Sequence, residues 1–200
     1  MFPAFIASQF KRPRGLFGYV VSNMMKKGNQ KNYIRLIKDL DVQPDEKLLE
    51  IGYGPGIGIQ MITSSCVSCT VHGIDFSGLM YKKAGKLNKL LIEQGRVQLQ
   101  YGDFLKIPID KNQYDRIFCL NVIYFWDELD KPLEKTLSLL KEDGAFYIYM
   151  VNPEFLVDRK APDTIFNKYS IDQVVGALRS AGFRKIDHYF KGGYYIKAGK

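Results

Sequence analysis

The sequence predicts an α/β fold, an open and doubly wound sheet of seven strands with helices on both faces. Short apolar segments typical of buried strands alternate with amphipathic segments typical of helices along most of the 200 residues. A glycine-rich turn follows the first strand and precedes a helix. Gly192 and Gly193 separate the last two strands, which favours a hairpin and therefore an antiparallel C-terminal strand.

Two helices are predicted before the first strand. Residues 16–27 are amphipathic, Gly28 suits a left-handed C-terminal position, and Asn29 can cap a following helix. Apolar residues at helical spacing indicate that second helix, namely Tyr33, Ile34, Leu36, Ile37 and Leu40. We expect residues 1–44 to form a helical lid or cap segment on a compact domain of residues 45–200.

The seven strands are predicted from short apolar runs that end at turn residues. They cover residues 47–52, 71–75, 96–103, 114–121, 145–151, 185–190 and 193–198. Helices are predicted between them over residues 57–66, 78–94, 129–141 and 171–181. Ser170 and Gln173 have the spacing of a capping box at the start of the last helix, and Gly182 follows its end.

The composition is that of a globular protein, with 46% hydrophobic and 25% charged residues. No run of 18 apolar residues is present, so we expect no transmembrane segment. Residues 1–7 are apolar and precede the first charges, the reverse of a secretory signal, so we expect a cytoplasmic protein. Cys66 and Cys69 have CxxC spacing, but with Cys119 they do not form a disulfide framework or a four-ligand zinc site, and we expect structural cysteines.

The formal charge of +8 is concentrated at the N-terminal end. Residues 1–40 contain eight basic residues and one acid, Asp39, a net charge of +7. Such a segment can contact an anionic surface, whether lipid, nucleic acid or an acidic substrate. The same charges also fit a solvated helix face, and both alternatives stay open.

The strongest motif surrounds the turn after the first strand, where Glu50 precedes Gly52, Gly54 and Gly56. Glycines let the backbone turn sharply and approach a ligand closely, at the edge where doubly wound sheets bind ligands. The dinucleotide fingerprint fails, because Ile57 stands at its last glycine position. A buried carboxylate such as Glu50 needs a compensating partner, and a ligand ammonium group can provide one.

Four segments in order resemble the class I S-adenosylmethionine-dependent methyltransferases of the small-molecule type (methyltransferase type 11-like), whose fold is Rossmann-like. Their sequences are LLEIGYGPG at 48–56, GIDFSGLM at 73–80, YGDFLKIP at 101–108 and FCLNVIYFW at 118–126. The resemblance covers roughly residues 45–198. It implies S-adenosyl-L-methionine as cofactor and S-adenosyl-L-homocysteine as product.

The resemblance also implies which residues contact the cofactor. The implied set is Glu50, Gly52, Tyr53, Gly54, Gly56, Asp75, Phe76, Met80, Gly102, Asp103, Phe104, Asn121 and Val122. Glu50 and the glycine loop would hold the methionine moiety, and Asp75 would bind the ribose hydroxyls. Phe76 would pack against adenine, while Asp103 and the Phe104 backbone would bind its polar edge. Asn121 and Val122 would line the methionyl side, whereas Phe76 and Phe104 also fit ordinary core positions.

Few residues suggest acid–base chemistry, and methyl transfer needs a base only if the acceptor must lose a proton. Tyr124 is the preferred catalytic and pocket residue. His72 and His188 lie within predicted strands and are expected to be structural. Asp127 and Glu128 fit a base or a solvated helix cap equally well. Met24, Met25, Asn29 and Tyr33 are lid candidates that equally fit core positions.

A small-molecule acceptor is the preferred function. One alternative is a lipid head-group or quinone methyltransferase at a membrane surface, and another is a non-catalytic S-adenosylmethionine-binding protein. The basic and apolar residues 11–27 favour the membrane alternative. A nucleic-acid substrate is disfavoured, because the segment from Asn121 to Tyr124 lacks the Asn/Asp-Pro-Pro-aromatic pattern of base aminomethylases and no RNA-binding module is recognisable.

Overall fold

The computed structural model describes residues 4–200; residues 1–3 of the predicted lid and apolar N-terminal segment lie outside the described residues. The helices are α1 (Ala4–Lys11), α2 (Gly15–Leu40), α3 (Ile57–Ser65), α4 (Gly78–Leu87), α5 (Lys89–Glu93), α6 (Asp130–Leu139), α7 (Pro153–Asp158) and α8 (Ile171–Ser180). The strands are β1 (Lys47–Ile51), β2 (Thr70–Asp75), β3 (Val97–Tyr101), β4 (Tyr114–Leu120), β5 (Leu140–Met150), β6 (Arg184–Phe190) and β7 (Tyr194–Gly199). Within residues 4–200, no helix has the length and hydrophobicity needed to cross a bilayer.

The strands form one sheet in the order β3-β2-β1-β4-β5-β7-β6. Strands β1 to β5 are parallel to their neighbours, and β7 runs antiparallel between β5 and β6. The chain moves outward from β1 to β3 and then returns to β4 on the other side of β1. Ligands bind at such a reversal of strand order, outside the carboxyl ends of the strands. The predicted doubly wound fold with an antiparallel C-terminal strand is confirmed.

Two buried layers cover the two faces of the sheet. Along β5, Phe146 and Ile148 pack under α6 and α8, whereas Tyr147 and Tyr149 face the layer that α2, α3 and α4 cover. This alternation follows from the two-residue period of a strand. Because both faces are covered, most residues of the central strands β1 and β4 are buried, whereas the edge strand β3 is largely exposed and contains two glutamines.

Helix α2 is one continuous helix, so the predicted break at Gly28 is wrong. Its buried side includes Val21, Tyr33 and Leu36, which pack on both sides of the expected break. This tertiary packing overrides the low helix propensity of glycine. The reverse occurs in the predicted helix 78–94, which divides at Asn88, where the side-chain amide donates to the Gly56 carbonyl at 3.1 Å.

The ends of the predicted elements are otherwise close to the observed ones. The capping box of Ser170 and Gln173 is present at the start of α8. Helices α1 and α7 were not predicted, and β5 begins at Leu140 rather than after Gly144. The short segment 152–169 therefore contains α7 and contributes to a small third cluster of buried residues that includes Leu156 and Phe166.

Two of the three cysteines are bonded to each other, which the sequence does not predict. Cys66 and Cys69 form a disulfide, while Cys119 is a free, buried thiol. Cys66 follows the end of α3 and Cys69 directly precedes β2, so the short turn between them holds their Cα atoms 5.6 Å apart. That separation lies in the normal range for a disulfide.

Gly28→Ala should stabilise the protein. Gly28 is exposed inside α2 and a Cβ atom there would meet nothing within 4 Å, so alanine only removes the entropic cost of glycine. We expect the free energy of unfolding to rise by about 0.5–1 kcal/mol in denaturant titration.

Gly58→Ala in α3 is the matched control, because there a Cβ atom would lie 2.4 Å from Tyr33 Cε1 and 2.8 Å from Glu50 Oε1. This variant should be destabilised. Loss of stability in Gly28→Ala would contradict the continuous helix.

Candidate active site

One cleft of about 770 Å³ opens at the carboxyl ends of the central strands. Its volume suits a ligand of drug size or larger. Ten of the residues predicted to contact the cofactor line it, namely Gly52, Gly54, Asp75, Phe76, Met80, Gly102, Asp103, Phe104, Asn121 and Val122. The motif spacing therefore brings most of the predicted set together.

The glycine turn after β1 has a backbone that only glycine adopts easily. Gly52 and Gly54 have φ angles of 73° and 53°, in the left-handed region. A Cβ atom on Gly52 would also lie 2.5 Å from Val122 Cγ2. The turn thus packs closely against the residues that follow β4, and any larger residue at position 52 would push the two cleft walls apart.

Asp75 ends β2 and fixes the glycine turn. Its Oδ2 accepts a hydrogen bond from the Gly54 N–H at 2.8 Å, and its Oδ1 accepts one from the Ser77 N–H at 2.8 Å. Burial raises the pKa of Asp75 to about 6, although both N–H groups favour the carboxylate. Each carboxylate oxygen can accept more than one hydrogen bond, so Asp75 can still bind ligand hydroxyl groups.

Glu50 lies behind the glycine turn rather than in the cleft wall. It is fully buried, and its Oε1 accepts a hydrogen bond from the Tyr33 hydroxyl of α2 at 2.7 Å. Among residues 4–200, its Oε2 has no hydrogen-bond partner. Burial raises the pKa of Glu50 to about 8; the Tyr33 hydroxyl offsets this in part, and the charge of Asp75 adds to it.

Tyr53 and Gly56 are also absent from the cleft wall. The Tyr53 side chain is fully buried and packs against Gly73 of β2. Gly56 has a φ of 84° and begins α3, and a Cβ atom there would meet Ala84 at 2.7 Å. The structure thus gives these two residues the role of packing the turn against α4 and β2.

The structure does not bring Tyr124 to the cleft. Its side chain is buried in the third cluster, where its ring contacts Phe125 and Phe166 at centroid distances of 4.7 and 5.5 Å. Residues 123–125 form a short 3₁₀ turn, and the next two residues after Tyr124, Phe125 and Trp126, line the cleft instead. Burial raises the pKa of Tyr124 above its ordinary value.

Asn121 connects the end of β4 to the N-terminal helix. Its Nδ2 donates to Asn29 Oδ1 of α2 at 3.0 Å, and its Oδ1 has no partner among the described residues. Its φ of 60° is unusual for a residue other than glycine. Asn121 lines the cleft, so an unpaired acceptor is present beside the glycine turn.

The N-terminal segment forms one wall of the cleft, through Phe10, Lys11, Arg12, Pro13 and Met25. Arg12 lies over the Phe76 ring, 5.6 Å from its centroid, and donates to the Tyr101 hydroxyl at 3.3 Å. Lys11 pairs with Asp127 across the cleft at 3.7 Å.

Of the predicted lid residues, Met25 lies in the wall, Met24 faces solvent, and Asn29 and Tyr33 form the contacts described above. Phe10, Lys11, Arg12 and Pro13 lie within the predicted lid segment 1–44 but are not among its individually predicted residues. The sequence feature that could have indicated these wall residues is the apolar run 1–7, which the charges at Lys11 and Arg12 follow after three residues.

Neither histidine lies in the cleft wall. Burial lowers the pKa of His72 to about 4, and its Nδ1 lies 2.9 Å from the Tyr114 hydroxyl. His188 is exposed on the edge strand β6. Within residues 4–200, no group of three His, Cys, Asp or Glu side chains could hold a metal ion.

A family profile described as a methyltransferase domain matches residues 49–148, half of the chain. The chain belongs to this family. Together with the fold and the cleft, this identifies it as a class I S-adenosylmethionine-dependent methyltransferase, whose cofactor is converted to S-adenosylhomocysteine.

The methyltransferase is similar to proteins of several different activities and to one that is uncharacterized. It is 28% identical over 155 residues to the uncharacterized methyltransferase YdaC of Bacillus subtilis, covering 78% of this chain and 81% of that protein. It is 21% identical over 180 residues to the ubiquinone/menaquinone biosynthesis C-methyltransferase UbiE of Geotalea daltonii, covering 76% and 77%. Geranyl diphosphate C-methyltransferase of Streptomyces coelicolor, solved with S-adenosyl-L-homocysteine, shares the fold at a TM-score of 0.71 and 15% identity, covering 86% and 80%.

The residues at the cleft fit this cofactor. S-adenosylmethionine carries a sulfonium, an ammonium group and ribose hydroxyls, all of which need acceptors or negative charge nearby. Asp75 and Asn121 line the wall, the buried Asn121 Oδ1 has no partner among the described residues, and Glu50 lies directly behind the glycine turn. When bound, the cofactor supplies an activated methyl group, so the protein mainly has to align the acceptor and exclude water.

The unliganded methyltransferase should lose stability as pH rises from about 6.5 to 8. The folded-state pKa of Glu50, about 8, lies above its ordinary value of 4.5, so the folded state binds more protons in this window. The free energy of unfolding should fall by up to about 1.4 kcal/mol per pH unit. Asp75 titrates below this window, and His72, whose pKa falls from 6.5 to about 4 on folding, acts in the opposite direction and mainly near pH 6.5, so Glu50 is the main cause of the loss of stability towards pH 8.

Denaturant titrations of the wild type and Glu50→Gln across this pH range test the assignment. Glutamine does not titrate, so its stability should change much less. A slope equal to that of the wild type would assign the effect to another group.

Proposed function

We propose that the methyltransferase transfers a methyl group to a small-molecule acceptor with an apolar body, bound between the N-terminal wall and residues 125–126. The observation that supports this most directly is the composition of that part of the cleft. Phe10, Met25, Phe125 and Trp126 all line it, and Phe10 and Phe125 pack against the same small buried cluster. Apolar and aromatic walls with a few polar groups are typical of small-molecule sites.

For the cofactor, we assign the ribose hydroxyls to Asp75 and the adenine to the region of Phe76, Asp103 and Phe104. Asp75 keeps free acceptor capacity in the wall, and Phe76 presents a partly exposed ring there. Phe104 is buried below the ammonium group of Lys135, which also fits a core role. Gly52, Asn121 and Val122 are assigned to the methionine end.

Asp127 and Glu128 are the carboxylates in the acceptor part of the cleft. Asp127 pairs with Lys11, and Glu128 pairs with Lys131 at 3.4 Å. Because each is paired with a lysine, these two ion pairs add no net positive charge that would attract a phosphodiester backbone, which supports a small acceptor over nucleic acid. If the acceptor must lose a proton, these two carboxylates are better placed to accept it than the buried Tyr124.

A lipid-soluble acceptor such as a quinone is the second candidate. The aromatic wall favours it, and the relative named as a ubiquinone/menaquinone biosynthesis C-methyltransferase aligns over 76% of this chain. A water-soluble aromatic metabolite fits the same wall. A methyl-transfer screen with labelled S-adenosylmethionine against quinones and against water-soluble aromatic metabolites distinguishes the two candidates. If no compound of either kind is methylated, the proposed small-molecule methylation is contradicted.

Asp75→Asn should weaken binding of S-adenosylhomocysteine about tenfold or more, because a hydrogen bond to a charged acceptor contributes about 1.5–3 kcal/mol and a neutral one less. Isothermal calorimetry measures this directly.

Asp115→Asn is the matched control for Asp75→Asn. The Asp115 carboxylate also accepts from a backbone N–H, that of Lys47 at 2.9 Å, but at the amino ends of β1 and β4, opposite to the carboxyl ends that form the cleft. This control should bind the cofactor product normally. Equal affinity of Asp75→Asn and the wild type would refute the ribose assignment.

Removal of residues 1–11 should abolish most turnover on any acceptor found, while affinity for S-adenosylhomocysteine largely survives. The deletion takes away Phe10 and Lys11 from the acceptor wall but leaves the glycine turn and Asp75 in place. It ends before α2, whereas a deletion to residue 30 would cut through that helix.

Turnover, calorimetry and a thermal melt of the truncated protein should be compared with those of Lys11→Ala, which removes only the ion pair to Asp127. Full turnover of the truncated protein would eliminate a lid role for α1.

A further inference from the structure

The outer side of the N-terminal helices carries a cluster of exposed apolar side chains. Leu16, Val20 and Met24 are 90%, 56% and 59% exposed and follow one another at intervals of four residues on α2. Residues at that spacing lie on one side of a helix. Phe17 and Phe5 extend the cluster onto α1, with their ring centroids 5.3 Å apart. We call these five residues the outer apolar face.

The outer apolar face is not the side of α2 that builds the fold. The buried residues of the same part of the helix, Gly18, Val21 and Ser22, point towards the protein, as does Met25 in the cleft wall. Contiguous exposed apolar residues of this kind mark a contact surface. The charges around this surface indicate which kind of partner it contacts.

Positive charges surround this face. Arg14, Lys27 and Lys31 are exposed on α2 or directly before it, and residues 1–38 contain no Asp or Glu. Helix α4 adds the exposed Lys82 and Lys86, and residues 76–92 also lack acids.

Helix α4 lies against α2, because the Lys83 ammonium donates to the Asn23 side chain of α2 at 3.2 Å. Two neighbouring helices therefore present cations beside large apolar side chains.

We propose that the outer apolar face docks the methyltransferase on an anionic lipid bilayer. Apolar residues flanked by Lys and Arg, with few acids, are the composition of helices that lie in the membrane interface. Basic residues near an anionic leaflet each add attraction that salt screens. The inference goes beyond the proposed function and does not depend on the identity of the acceptor.

Two other occupants fit the charges less well. A second copy of this chain would bring Arg14, Lys27 and Lys31 of both copies towards each other, with repulsion that few acids offset. Nucleic acid would be attracted by the cations, but the centre of the face is aliphatic, at Leu16 and Val20, whereas single-stranded bases stack on aromatic rings. An anionic lipid bilayer can bind both the apolar side chains and the surrounding Lys and Arg side chains.

Docking through the outer apolar face would also bring the bilayer close to one wall of the cleft. Helix α2 places Met24 in the outer apolar face and the adjacent Met25 in the cleft wall, and α1 does the same with Phe5 and Phe10. The N-terminal wall of the cleft would therefore lie between the bilayer and the bound ligands.

Vesicle co-sedimentation of the full chain tests the proposal. The probes are vesicles of equimolar phosphatidylcholine and phosphatidylglycerol, and vesicles of phosphatidylcholine alone. We expect binding to the anionic vesicles that falls as salt rises, and little binding to the neutral ones. Leu16→Glu/Val20→Glu should reduce the anionic partition by about tenfold or more, because it places charges in the apolar contact.

Val67→Glu is the matched control, since Val67 is 80% exposed in the turn before β2, at the amino ends of the strands and away from the outer apolar face. It should bind like the wild type. Binding of S-adenosylhomocysteine by all variants verifies their fold, because none of these residues lines the cleft.

A second pair of substitutions, Lys27→Gln and Lys31→Gln, keeps the test independent of the apolar residues. These exposed positions should lower the anionic partition and reduce its salt dependence.

Failure of the wild type to sediment, or equal binding by Leu16→Glu/Val20→Glu and Val67→Glu, would overturn the proposal. A wild-type dimer that Leu16→Glu/Val20→Glu dissociates in sedimentation equilibrium would also overturn it, in favour of a second copy.

Discussion

The buried hydrogen bond from the Tyr33 hydroxyl to Glu50 determines how the N-terminal helix meets the sheet. It joins α2 to the end of β1, and both residues are almost completely buried. Gly58 of α3 lies so close that a Cβ atom would contact both of them. Hydrogen bonds have narrow geometry, and a buried carboxyl group without its partner is costly, so this contact fixes the rotation of α2.

The rotation of α2 in turn decides what each of its sides does. With Tyr33 against Glu50, Asn29 reaches Asn121 at the end of β4 and Met25 enters the cleft wall. Leu16 and Val20 then face outward. One long helix thus contributes side chains to the core, the cleft and the surface. The packing along its whole length stabilises the helix more than the low helix propensity of Gly28 destabilises it.

The sequence predicts the parts of the site that depend on local geometry. A strand followed by glycines, and a carboxylate at the end of the next strand, meet at one edge because parallel strands end there, which places Gly52, Gly54 and Asp75 together. It does not predict contacts that depend on distant packing. Arg12 and Tyr101 are 89 residues apart in sequence, and no periodicity relates them.

The orientation of the side chains within the turn after β4 cannot be predicted from the sequence either. Tyr124 and Trp126 are both aromatic and stand two residues apart, so spacing alone favours neither as a pocket residue. The 3₁₀ turn at 123–125 directs Tyr124 to Phe166 and leaves Trp126 at the cleft. The Cys66–Cys69 disulfide belongs to the same class, because it depends on how the chain turns between α3 and β2.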